Sequence, residues 1–197
     1  MKQFEADLID ALALDLLTGI IVVTVGEYYR EHPGELEGSW HLQPRQDVSA
    51  IRHILEAVNV PTLKEFFGTF VGKRFMPQMS RTVCTLCVTA FDSFLERHGG
   101  SGTLGNKLGW LKQTFRIPQE LEDNMCELIS RRNDVAHNNA LVSRKYANPA
   151  GLYKNLLNSS WVAVNGMAQV GEQHVFNADY EFWMLDQMWK IAKIVCP

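Results

Sequence analysis

Apolar residues recur every three or four positions through most of this chain, and that period predicts helices. From residue 3 to 31, Ile9, Leu12, Leu16, Ile20 and Val23 keep helical spacing, and Pro33-Gly34 ends the stretch. The β-branched run Ile20 to Val25 leaves a strand as the minority alternative there. Gly34 to Asp47 reads as a loop holding Trp40 and His41, and Asp47 caps a short helix from Val48 to Val58. Thr62 and Glu65 form a capping box for a helix from Leu63 to Phe75, with Phe66, Phe67 and Phe70 on its core face. Met76-Pro77 breaks the chain. The pattern resumes from Met79 to His98, with Val83, Cys87, Ala90, Phe91, Phe94 and Leu95 on its apolar side, and Gly99-Gly100 stops it.

The second half continues in the same period. Leu104 to Phe115 predicts a short helix. Another starts at Pro118, with Glu120, Glu122 and Asp123 in its first turns, and runs to about Asn138. A short helix near Asn148 to Leu157 follows. Trp161 to Val164, Asn165-Gly166 and Met167 to Val170 then read as a hairpin, because Asn-Gly favours a two-residue turn. His174, just past it, reads as a surface residue. Ala178 to Val195 is the last helix. The predicted fold is all-α, an up-and-down helical bundle in one domain over 1-197, with a small β-hairpin appendage near 161-175.

Composition narrows the class. The chain has 197 residues, 46% hydrophobic and 21% charged, a net charge of -3 and a pI near 6.1. That is ordinary for a globular protein and argues against a surface coated with cations for nucleic acid, although one cleft needs only a few. Acidic residues Glu5, Asp7 and Asp10 are unlike a signal peptide, and the apolar stretch from Ala11 to Val25 is too short to span a bilayer. A cytoplasmic protein with no membrane partner is the expectation. Cys84-Thr-Leu-Cys87 has metal or redox spacing, but it sits in a helical apolar pattern with no second pair, so reduced core thiols and no metal are expected. Gly100-Ser101-Gly102-Thr103-Leu104-Gly105 fits the dinucleotide loop only formally. A helix precedes it where that loop requires a strand, so it reads as a connection.

The chemistry concentrates at Arg131-Arg132-Asn133-Asp134-Val135-Ala136-His137-Asn138-Asn139. Asn133 and His137, four apart, share a helix face; Arg132 lies roughly 140° from His137 but is long enough to bend back. The helix end favours cations. These are the groups RNA cleavage needs. The ribose 2'-hydroxyl is the nucleophile, a histidine moves the proton, and an arginine holds the phosphate. No cofactor is required. Arg131 reads as placed for RNA backbone contact, and Asn138, Arg144 and Lys145 adjoin the motif; Lys107, Lys112 and Arg116 add local charge. Alone, the spacing is unspecific, and the competing reading is an Arg and a His that only cap and solubilise a helix end.

The region from Arg81 to His137 resembles the HEPN superfamily (higher eukaryotes and prokaryotes nucleotide-binding). The points of likeness are Arg132-Asn133-Asp134-Val135-Ala136-His137, the helix with Ala90, Phe91, Phe94 and Leu95, and the lead-in Arg116-Ile117-Pro118. The signature covers about 81-140, leaving 1-60 as a helical extension. The resemblance implies a helical bundle, often a homodimer with a composite site, that cleaves single-stranded RNA without a metal as a toxin or antiviral defence effector, sometimes held by an antitoxin or partner protein. It implies Arg132 as phosphate holder, His137 as acid/base and Asn133 as polar helper. The alternative is a HEPN-type module that binds a nucleotide, RNA or a partner without catalysis.

Overall fold

The structure, a computed structural model, describes residues 1-32 and 76-197. The expected loop with Trp40 and His41 and the helices Val48 to Val58 and Leu63 to Phe75 lie outside the described residues. Among those described, every regular element is helical, and the class is all-α. The order is α1 (Lys2–Glu31), α2 (Met76–Arg97), α3 (Leu104–Phe115), α4 (Gln119–His137), α5 (Arg144–Ala147), a 3-10 helix (Gly151–Asn158), α6 (Ser160–Asn165) and α7 (Ala178–Val195). The chain divides into two compact units. One joins Met1–Leu14 to Ser80–Pro197, and the other is Asp15–Met79.

In the first unit, α1 buries Phe4, Leu8 and Ala11, which share one helix face. The Phe4 ring lies 4.7 Å from Phe94 and 5.9 Å from Phe91 between centroids, so the aromatic positions of α2 close over the chain's first turn. The stripe read from periodicity is different. Ile9, roughly 140° round the axis from Phe4, is exposed, as are Leu16, Ile20 and Val23 in the second unit.

Helix α4 is the axis of the first unit. Its start is set by Arg116, which takes a left-handed conformation (φ 50) after α3, and by Pro118 at the cap. Leu121, Met125, Leu128 and Ile129 are buried, but so are Glu122, Asn124, Glu127 and Arg131, so it presents polar groups inward as well. Each has partners. Asn124 donates to Gln187 of α7 at 2.9 Å and accepts from the Ser160 amide at 2.8 Å, locking α4 to α6 and α7. A buried amide held at both ends fixes register better than an apolar contact, which tolerates sliding.

The predicted hairpin at 161-175 is absent. Ser159 caps α6 by accepting from the Val162 amide, Trp161 and Val162 are buried, and Trp161 packs edge-on against Tyr180 at 4.9 Å. Helical packing of Trp161 outweighs the β-propensity of the run. Gly166, at φ 76 and ψ 174, ends the helix instead of turning a hairpin, in a positive-φ conformation that suits only glycine. Pairing occurs elsewhere, as one isolated antiparallel bridge between Leu141 and Gln173. Among the described residues no helix is long and apolar enough to cross a membrane.

Candidate functional site

The motif occupies the last two turns of α4, and its neighbours hold that end in place. The Asp134 carbonyl accepts from the amides of both Asn138 (2.9 Å) and Ala140 (3.0 Å). Asn139 and Ala140 then take positive φ, 51 and 61, turning the chain back on itself. The Asp134 carboxylate accepts from the Ser143 amide at 2.9 Å and lies 2.9 Å from His174 Nε2. The Ala140 carbonyl accepts from the His174 amide at 2.9 Å. A clamp thus joins residues 134, 140-143 and 172-174 directly behind the motif.

His174 is a correction. It is buried, 3% exposed, not a surface residue. Burial, with a smaller push from nearby Arg131, lowers its pKa to about 4 against the raising effect of the Asp134 hydrogen bond. With Nε2 on Asp134, its buried Nδ1 has no partner.

Arg131 and Arg132 are successive residues with opposite fates. Arg131 is 4% exposed. Its Nε donates to Glu127 at 2.7 Å, its Nη1 to the Val175 carbonyl at 2.7 Å and its Nη2 to the Tyr146 hydroxyl at 3.3 Å. The Tyr146 and Tyr180 hydroxyls donate to the two Glu127 oxygens at 2.9 and 3.1 Å. The guanidinium lies 4.2 Å from the Tyr180 ring centroid. Burial, the largest single effect, lowers the Arg131 pKa, but Glu127, Tyr180 and Tyr146 together outweigh it and the pKa is raised. The same burial raises those of Tyr146 and Tyr180. Arg131 is therefore a core cation with its donors engaged, not the RNA contact that its position in the sequence implied.

Arg132, Asn133 and His137 are brought together. They line one cleft of about 350 Å³. Arg132 Nη1 donates to Asn133 Oδ1 at 3.3 Å, which brings the arginine round to the Asn133 side, while its buried Nε has no partner. His137 is exposed. The opposite wall comes from α3, through Thr103, Leu104 and Gly105, and from Tyr153 of the 3-10 helix. Thr103 caps α3 by accepting from the Asn106 amide at 3.3 Å, and the next two amides begin the helix with no intrahelical acceptor. Asp92 also lines the cleft and is neutralised by Lys107, whose Nζ is 2.9 Å away.

The remaining candidates lie outside this lining. Asn138 is exposed and spends its side-chain amide on the Leu141 carbonyl at 2.7 Å. Arg144 and Lys145 are exposed on α5. Of the supporting cations, Lys107 is buried between Asp92 and Glu96, and Lys112 pairs with Glu122 at 2.8 Å, so neither is left over for a phosphate backbone. Cys84 and Cys87 are buried in α2 and form no disulfide. Among the described residues no group of three or more His, Cys, Asp or Glu is arranged to hold a metal.

Thr103 to Gly105 and Tyr153 were missed from sequence. The glycine-rich stretch is a helix-to-helix connection, as read, yet its end opens α3 onto the cleft. The available signal was Thr103 followed three residues later by Asn106, a helix start with free amides. Comparison with protein-family models, curated proteins and solved structures matches none of them.

Proposed function

We propose that this chain is a metal-independent endoribonuclease whose site is the cleft of Arg132, Asn133 and His137. The observation that carries the reading is that these three side chains, spread over more than a turn of α4, line one cavity of about 350 Å³. In the proposed reaction the ribose 2'-oxygen attacks the adjacent phosphorus and the bond to the 5'-oxygen breaks. The products are a 2',3'-cyclic phosphate and a free 5'-hydroxyl. His137 moves the proton, taking it from the 2'-hydroxyl or giving one to the leaving oxygen. Arg132 binds the non-bridging oxygens as negative charge grows there, and the free amides of the α3 first turn add partial positive charge on the facing wall. Asn133, bonded to Arg132, orients the guanidinium.

The biological setting we infer is a cytoplasmic homodimer acting on single-stranded RNA, as a toxin or antiviral effector restrained by an antitoxin or partner protein. A labelled single-stranded RNA incubated with the protein in EDTA tests the chemistry. Cuts leaving a 2',3'-cyclic phosphate, absent with His137→Ala, are the expected result. No cutting by folded wild type across several RNAs refutes it.

A second reading, a non-catalytic nucleotide- or RNA-binding module, is favoured by one observation. Lys107 and Lys112 are neutralised and Arg131 is buried, so a long backbone has few cations to follow, whereas a cleft of this size takes about one nucleotide. Nucleotide binding that needs Arg132, without turnover, distinguishes it.

A further inference from the structure

The ends of α2 and α7 bring a thiol and a base together. Cys196 caps the C-terminus of α7, and its Sγ lies 3.0 Å from His98 Nε2. His98 Nδ1 lies 2.8 Å from the Phe94 carbonyl oxygen. A carbonyl only accepts, so Nδ1 carries the ring hydrogen and Nε2 turns its lone pair to the sulfur. The Phe94 ring, 4.4 Å from the imidazole between centroids, fixes the plane of the base. His98 also follows the last residue of α2, where a helix end favours positive charge. This is the arrangement of an activated nucleophile: sulfur, base, and a third group orienting the base. Cys196 is partly exposed, whereas Cys84, Cys87 and Cys126 are buried.

We propose that Cys196 and His98 form a thiol-exchange site that accepts a low-molecular-weight disulfide. The sulfur of Cys196 attacks one sulfur of the disulfide as His98 Nε2 takes the thiol proton. The disulfide S–S bond breaks and a Cys196 mixed disulfide forms. The departing thiolate takes the proton from His98, leaving one free thiol and a neutral imidazole. No further oxidant or reductant enters, because the incoming disulfide carries the oxidising equivalents. The site is independent of the RNA reading, since no residue of the cleft takes part.

The test uses the full folded chain with oxidised glutathione at neutral pH, followed by intact-mass measurement and peptide mapping. The expected result is a single adduct on Cys196, absent in Cys196→Ser and formed at least roughly tenfold more slowly in His98→Gln, which keeps a polar side chain but cannot take the proton. Circular dichroism checks that His98→Gln folds, and His98→Asn replaces it if it does not. The wild-type result decides by itself if neither variant folds. No adduct on the folded protein, an adduct on a different cysteine, or a His98 variant that reacts as fast as wild type overturns the proposal.

Discussion

Acidifying the protein from pH 7 to pH 4 adds a proton to a side chain that has nowhere to put it. His174 bonds Asp134 through Nε2, and its buried Nδ1 faces no acceptor. The neutral ring fits the site and the charged ring does not. Its pKa falls from 6.5 to about 4, chiefly through burial. The unfolded chain therefore binds this proton first. Stability from this group is complete above pH 6.5 and is lost as the pH falls from 6.5 toward 4. At about 1.4 kcal/mol per pH unit of the gap, the full loss is about 3 kcal/mol, of which about 2 is gone by pH 5. Urea unfolding of wild type and His174→Gln between pH 8 and 4 measures it. Glutamine still has an amide to offer Asp134 but does not titrate, so carboxylate effects common to both proteins cancel in the difference. Wild type should lose about 3 kcal/mol more than the variant over that range. Parallel losses, or a wild type more stable at pH 5 than at pH 7 relative to the variant, would refute the account.

Other perturbations separate the core from the cleft. Arg131→Met strands the buried Glu127 carboxylate and should destabilise by about 3-5 kcal/mol in urea, whereas His137→Ala, at an exposed position, should stay within about 0.5 kcal/mol of wild type while abolishing RNA cleavage. Thr103→Ala removes the α3 cap and should lower stability by about 1 kcal/mol in the same assay, with RNA cleavage lowered as well because that turn lines the cleft. Gly166→Ala meets no atom within 4 Å, so its loss of about 1-3 kcal/mol should come from the backbone alone, because φ 76 with ψ 174 suits only glycine, and Gly166→Asn should lose as much.

Period and punctuation made the long helices legible. The bounds of α3 and α7 follow from the sequence, and those of α2 and α4 nearly so, because a cap or a glycine stands at each end and one face is apolar. Two kinds of information were not local. At 161-165 the β-branched run and Asn-Gly pointed to a hairpin, but Trp161 is buried against Tyr180 and Trp183, residues that approach only once α7 is packed. His174 has the same character. Its partner Asp134 is forty residues away, and nothing near His174 in sequence distinguishes a buried imidazole from a solvated one.

The two arginines show where the chemistry of a motif ends and packing begins. Arg131 and Arg132 differ by roughly 100° around α4, which is enough to send one into the core and the other to the cleft. Spacing contained the cue. Arg131 is four residues after Glu127 and on the side of Leu128 and Met125's buried neighbours, so the pair had to enter the core together or not at all. Once Glu127 is buried with two tyrosine hydroxyls, an arginine is the side chain that neutralises it and still reaches the Val175 carbonyl. That bond ties the segment after His174 to α4, while Asp134 ties His174 itself to the same turn. Arg132 and His137 are thus presented from a helix end braced on both sides of Asp134. The same bracing makes the acid-labile imidazole part of the cleft's support: protonating His174 should loosen the turn that carries Asp134, between Arg132 and His137.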